Sequence, residues 1–327
     1  MARAKQSGKS DEPVKKALYT IKLNEDQLKA LEAICDRRMY GYYHVDHSLF
    51  AFKAPYEGVN IVAYKSGKVV IQGKGTEAFV QNILEAEVTG DPRMGYDEVH
   101  HPEWFEPHAG VDEAGKGDLF GPLVSCCVIA DGEMVREWQA EGVKDSKSLT
   151  DASILRLEKT ILKTKGVVVR KTFAGMPRYN ALMSKPGANL NKLLAWFHSK
   201  SVQAALEARP VEWGLLDQFS KVPLTQQQLK KDGVDFDLKM RTKAESDPVV
   251  AAASICARAE FVRQLRKLST EFGEELKKGS GAPAKKQGEE LVARLGAHRL
   301  KDFAKVHFKT AYEILGLPVP VKPAFRG

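Results

Sequence analysis

The hydrophobic pattern changes period several times along the chain, and each change marks an element. Residues 1–16 hold five Lys or Arg and no large apolar side chain except Met1 and Val14, so a disordered basic tail is expected there. LYTIKL (18–23) alternates as a strand does. Asn24 is placed to cap a helix over EDQLKALEAICDRR, where Leu28, Leu31 and Ile34 recur at helical spacing. SLFAFK, GVNIVAYKSG and KVVIQGKG read as three short strands, with Lys65-Ser66-Gly67-Lys68 as a hairpin tip. A helix from Thr76 to about Glu87 completes β-α-β-β-β-α, a small α/β sandwich over residues 17–87. Residues 88–108 carry three prolines, two glycines and no periodicity, which predicts a linker in which His100, His101 and His108 are solvated.

A second domain is expected over 109–327. LVSCCVIA and GVVVRKTFA have the β-branched content of buried strands, and a helix capped near Thr150 or Asp151 separates them. GANLNKLLAWFHSKSVQAALEA is amphipathic at helical spacing through Leu190, Leu193, Leu194, Phe197, Val202 and Leu206. VEWGLLDQF (211–219) reads as a buried strand ending in Asp217. A strand over about 237–242 then leads to a helix starting near Pro248, a favoured first-turn residue. KKGSGAPAKKQG (277–288) reads as a low-complexity basic loop, and LKDFAKVHFKTAYEILGL as one closing helix. Lys301, Lys305, Lys309 and His307 on that helix are open to substrate contact or to plain solvation.

Chemistry concentrates in residues 110–122, GVDEAGKGDLFGP, where three acids, one lysine and four glycines fall within thirteen residues. The pattern is strand, Gly-rich turn, strand. Neighbours in a regular strand point to opposite faces, so Asp112 and Glu113 are expected to share a site through a turn of the backbone there. Two carboxylates about 5 Å apart repel by roughly 3 kcal/mol at an effective dielectric near 20. The stretch is therefore either a solvated acidic turn or half of a divalent-metal site, with glycine amides free to face a phosphate. It nearly matches the phosphate-binding loop G-x-x-x-x-G-K-[ST], but Gly117 replaces the metal-binding hydroxyl and two acids would sit in an anion cradle. Asp217 is open between a turn residue and a strand-end catalytic group. Glu245 and Asp247 precede a helix, where an acid either favours the helix N-terminus or joins a metal site.

Composition narrows the partners. With 43% hydrophobic and 28% charged residues in 327, the chain reads as an ordinary globular protein. It has no apolar run long enough to span a membrane and no signal-peptide core, which points to the cytoplasm. The four cysteines lack CxxC spacing and suit a reducing compartment. A formal net charge of +8 favours an anionic partner. Lys53, Lys65, Lys68 and Lys74, with Tyr56 and Tyr64, stud the first domain and suit either nucleic-acid contact or a solvated sheet face.

GVDEAGKGDLFGPLV, KDSKSLTD, NLNKLLAWFH, LLDQF and TKAES with AAASICARAEF together resemble bacterial ribonuclease HIII, a type 2 ribonuclease H, over about residues 18–315. The resemblance implies a ribonuclease H-like mixed five-stranded sheet flanked by helices, preceded by a TATA-binding-protein-like domain that grips substrate. It implies endonucleolytic cutting of RNA in RNA–DNA hybrids by a monomer using two Mg²⁺ ions (or Mn²⁺), giving 5′-phosphate and 3′-hydroxyl ends. The implied catalytic and metal-holding acids are Asp112, Glu113, Asp217 and Glu245, with Asp247 as the competitor for the fourth position. The implied substrate contacts are Gly115, Lys116, Gly117 and Ser146.

Overall fold

The computed structural model of the chain describes residues 18–91, 97–143 and 149–319. The tail at 1–16 and Ser146 lie outside the described residues. The chain divides into two compact units, 1–103 and 104–327, so the boundary falls inside the stretch expected to be a linker.

In the first unit, β1 (Leu18–Lys22) leads to α1 (Glu25–Arg37), followed by β2 (Gly41–Tyr42), β3 (Ser48–Ala54), β4 (Val59–Tyr64) and β5 (Lys68–Gln72). The strands form one antiparallel sheet in the order β1-β5-β4-β3-β2. Asn24 caps α1 through a reciprocal pair with Gln27, which satisfies two otherwise orphaned backbone donors. The closing helix begins as α2 (Thr76–Phe79) and continues to Thr89 with π-helical bonding before Gly90 ends it at φ 64°. Leu31, Phe50, Phe52, Ile61, Ile71, Phe79 and Leu84 pack as its core on one face of the sheet. By strand alternation the opposite face carries Lys22, Lys53, Lys68, Asn60, Gln72 and Tyr64. The two-residue β2 has too little alternation to be read from sequence. The supposed linker also holds a short helix, α3 (Asp97–His100).

The second unit carries β6 (His108–Ala114), β7 (Val124–Ala130), α4 (Gly132–Ala140), α5 (Asp151–Lys163), β8 (Val168–Phe173), α6 (Met176–Met183), α7 (Leu190–Ala208), β9 (Trp213–Asp217), α8 (Leu224–Lys231) and β10 (Asp237–Arg241). Then come α9 (Pro248–Phe272), α10 (Ala282–Leu295), α11 (Leu300–Phe303) and α12 (Lys309–Ile314). The sheet is mixed, in the order β10-β9-β6-β7-β8, with β6, β9 and β10 parallel and β7 antiparallel to both neighbours. Side chains alternate across it: Cys127, Ile129 and Val111 pack towards α7, while Cys126, Val128 and Val124 pack towards α9. α9 lies so close to β6 that a Cβ at Gly110 would stand 2.4 Å from the Val249 carbonyl carbon.

Three expectations are corrected. His108 is the first residue of β6 and is fully buried, its ring stacked 4.4 Å from that of Trp213. Half of the basic loop at 277–288 is helical, since α10 starts at Ala282, and Gly279 is bonded into the fold on both sides of its peptide. The closing helix is broken between α11 and α12. There Ala304 turns extended to bridge Phe120, and the Lys305 N–H donates to the Leu119 carbonyl, so pairing with another segment displaces helical bonding. The phosphate-loop reading also fails, because Gly110–Ala114 is strand and the next regular element after Gly117 is β7.

Candidate active site

Parallel pairing sets Val111 of β6 beside Leu216 of β9, so Asp112 and Asp217 leave neighbouring strands at the same level. The ladder continues unbroken through Asp112, Glu113 and Ala114, opposite Cys126, Ser125 and Val124. The expected turn between the two acids is therefore absent. They leave opposite faces of the sheet, and both reach one cavity of about 350 Å³ because the strand ends immediately beyond them. Asp112, Glu113, Asp217, Gly115–Asp118, Ser254, Arg258, Phe261 and Lys278 line it.

The turn itself follows at Gly115, with φ +80°; a Cβ there would stand 2.2 Å from the Pro122 carbonyl oxygen. Gly117 is different. Its φ is not positive and a Cβ would meet nothing within 4 Å, so nothing inside the protein requires glycine at that position. Lys116 lies between them, its Nζ 3.4 Å from Glu113 Oε1 and 5.1 Å from the Phe219 ring.

The two adjacent acids meet opposite electrostatics. Burial pushes the Asp112 carboxyl up, to about 8, and the charges of Glu113 and Asp217 push the same way against hydrogen bonds from Ser254 and the Glu113 N–H. Burial also raises Glu113, but His198 and Lys116 outweigh it and hold that carboxyl below its ordinary range. His198 Nε2 lies 3.2 Å from Glu113 Oε2; an ionised carboxylate only accepts, so this nitrogen carries a proton. The fully buried imidazole is fixed on its other side by Ser125 Oγ at 2.8 Å, itself 2.9 Å from Ser201 Oγ. Sequence reasoning assigned the helix carrying His198 to packing alone. A His-Ser pair within its buried length was the available signal.

Asp217 Oδ1 accepts the Ala244 N–H at 2.9 Å and so anchors the one-turn helix Ala244–Ser246 that contains Glu245. Glu245 does not line the cavity. Asp247 is fully buried: Oδ1 caps α9 by accepting from Val249 and Val250, and both oxygens face His108 Nε2 at 3.2 Å. Those partners occupy it structurally. Among the described residues no three carboxylate, imidazole or thiolate groups converge closely enough to cage an ion as they stand. The donor set nonetheless suits a hard dication: four carboxylates, those of Asp112, Glu113, Asp118 and Asp217, line one cavity, and burial and the neighbouring charges push the Asp112 carboxyl up.

Comparison with known proteins adds lineage to this geometry. The family model described as Ribonuclease HII matches residues 109–311, and one described as a Domain of unknown function (DUF3378) matches 38–91. A protein named Ribonuclease HIII from Protochlamydia amoebophila (strain UWE25) is 35% identical over 297 residues, 90% of this chain and 95% of that one. Its namesake from Chlamydia abortus (strain DSM 27085 / S26/3) is 37% identical over 271 residues, 82% and 87% of the two chains. The crystal structure of Bst-RNase HIII in complex with Mn²⁺ superposes with a TM-score of 0.64 at 30% identity, covering 91% of this chain and 98% of that one.

Proposed function

Because this chain belongs to the ribonuclease HIII family and is a ribonuclease H enzyme, we propose that it cuts the RNA strand of RNA–DNA hybrids internally, leaving 5′-phosphate and 3′-hydroxyl ends. The observation that carries this reading is the meeting of Asp112, Glu113 and Asp217 with the Gly115–Gly117 turn in one cavity. Asp112, Glu113, Asp217 and Glu245 are assigned as the catalytic and metal-holding carboxylates. Two dications held by these groups with substrate bound, Mg²⁺ or Mn²⁺, would supply an activated water and stabilise the departing oxygen. Mn²⁺ is the ion in the Bst-RNase HIII complex, and an oxygen-only donor set accepts either.

This chain's own residues do the rest. His198 and Lys116 keep Glu113 ionised and fixed. Gly117, with open space where a side chain would stand, lets the backbone approach a duplex groove closely enough to meet 2′-hydroxyls. Lys116, Arg258 and Lys278 bring positive charge to a cavity floored by acids, which suits a phosphodiester passing over them. Ser146 is assigned to the same substrate surface by its motif. In the first unit, the lysine-bearing face of the sheet with Tyr64 is assigned to gripping the hybrid in the manner of a TATA-binding-protein-like domain, and the enzyme to action as a monomer. Among the described residues no helix is long and apolar enough to cross a membrane. The four free, buried cysteines suit a cytoplasmic setting.

The test is cleavage of a labelled RNA–DNA hybrid, with double-stranded DNA and single-stranded RNA as controls, in Mg²⁺ and in Mn²⁺. Internal cuts confined to the RNA of the hybrid and ending in 3′-hydroxyl groups are expected. Equal cutting of the controls, or none in either metal, would overturn the assignment.

A further inference from the structure

Lys305 is a fully buried lysine that the proposed chemistry does not use. Among the described residues it has no ion-pair partner. Its Nζ instead donates to two backbone carbonyls, that of Asp118 at 2.8 Å and that of Gly121, and the Tyr179 and Phe308 rings flank it at 5.7 and 5.8 Å. Burying an ammonium without a carboxylate costs several kcal/mol even after relaxation. Burial accordingly drives its pKa down, to about 7, against a small opposing effect of Asp118. A leucine or methionine would fill the same space without that penalty, so packing alone does not account for a lysine here.

What the ammonium holds is specific. Asp118 and Gly121 bracket the segment that follows Gly115-Lys116-Gly117, and further hydrogen bonds tie that segment to residues 303–305 and to Gly279. The Lys305 N–H donates to Leu119, the Gly121 N–H donates to Phe303, and the Asp118 carboxylate accepts from the Gly279 N–H at 2.6 Å. Asn180 steadies the far side, donating to the Lys301 and Ala304 carbonyls at 2.7 and 2.9 Å and accepting from the Val306 N–H at 3.2 Å. The Gly-rich turn thus leads into a segment held by a polar clamp together with the buried side chains of Leu119 and Phe120. A turn made of glycines has little stiffness of its own, since Gly has the widest conformational range of any residue.

We propose that Lys305 is a positioning residue for substrate, whose buried ammonium fixes the backbone of the Gly115–Gly117 turn so that a hybrid meets it ready-formed. This rests on the assignment of that turn to substrate binding. Lys305 touches neither substrate nor the acids, so its removal raises KM while leaving the chemical step nearly intact.

The experiment is steady-state cleavage of an RNA–DNA hybrid by the full chain in Mg²⁺. It compares wild type with Lys305→Met, which keeps the length and removes the charge. The melting temperature of each protein is measured in parallel. KM is expected to rise about tenfold, equivalent to 1.4 kcal/mol of binding, with kcat within threefold. Asp232→Ala is the control: it breaks the unrelated bonds to Ser199 and Gln203 and should lower the melting temperature without moving KM. Should Lys305→Met fail to fold, Asn180→Ala leaves the ammonium in place but loosens its segment, with a rise in KM of about threefold. A folded Lys305→Met whose KM rises less than threefold, or whose kcat falls more than its KM rises, overturns the proposal, as does Asn180→Ala with an unchanged KM. Gly117→Ala separates the premise from the inference: unchanged KM there removes the turn from substrate binding, whatever Lys305 does.

Discussion

The two faces of the catalytic sheet treat neighbouring acids in opposite ways. On the α7 side, Glu113 finds a buried imidazole, itself braced by Ser125, and a lysine three residues on; its charge is provided for within the protein. On the α9 side, Asp112 finds a serine hydroxyl, one backbone N–H and two further carboxylates. Both side chains come from the same strand and end in the same cavity, yet one is held ionised and the other is pushed towards its neutral form. The difference separates two tasks. A carboxylate with its own cationic support can be held in place before anything binds, whereas one without such support has most to gain from an arriving cation.

The contrast can be broken from either side. Asp112→Asn should reduce hybrid cleavage most, on the order of a thousandfold or more, because the group tied most closely to the cation is lost while hybrid binding is retained. Single-turnover rates with binding measured separately would show this, and near-normal cleavage would dissolve the assignment. His198→Ala removes support from the other side. The expected loss is about 10- to 100-fold, as for other groups that orient a metal-holding side chain. With the His198 contribution gone and only Lys116 left to oppose burial, the Glu113 carboxyl should rise, moving the acid limb of the pH–rate profile to higher pH; an unmoved limb would mean that His198 only packs. Replacing Lys53 and Lys68 together by Ala should weaken hybrid binding several-fold and lower the log–log salt slope by about 0.7–0.9 per lost phosphate contact. Unchanged affinity would free the first unit's sheet of that duty.

The smallest effect concerns stability without metal. A carboxyl raised in the folded state binds more protons than it does unfolded. Asp112 therefore contributes fully only below the ordinary carboxyl range, and that contribution is lost as pH rises towards about 8. Metal-free wild type should lose melting temperature across this interval, while Asp112→Asn should lose less and melt a few degrees higher near neutral pH. Parallel melting curves for the two would show that burial and repulsion at Asp112 have a negligible effect on stability.

Much of this was legible in the sequence, for local reasons. Asp112, Glu113 and Asp217 stand out because acids at a Gly-rich turn and at the end of an apolar strand are written into a few adjacent residues. Strand and helix periods likewise marked most individual elements, whereas the mixed sheet followed only from the resemblance to ribonuclease HIII. What stayed hidden depends on partners distant in the chain. His108 lies in a stretch rich in proline and carries no mark of Asp247, 139 residues away. Lys305 shows helical spacing in sequence, but the strand-like pairing of Ala304 with Phe120 turns it inward. The engagement of Asp247 by α9 and His108 was likewise hidden, since only the first of these partners is near it in sequence.

The central claim is that an under-supported Asp112 is what a divalent cation satisfies, and calorimetric titration of the metal-free full chain with Mn²⁺ tests it most directly. At pH 7, in buffers of different ionisation enthalpy, binding that fills this site should displace the proton from Asp112 and release about one proton per site. Asp112→Asn should bind far more weakly and release none. Tight binding without proton release by wild type, or equal binding and release by Asp112→Asn, would contradict the account.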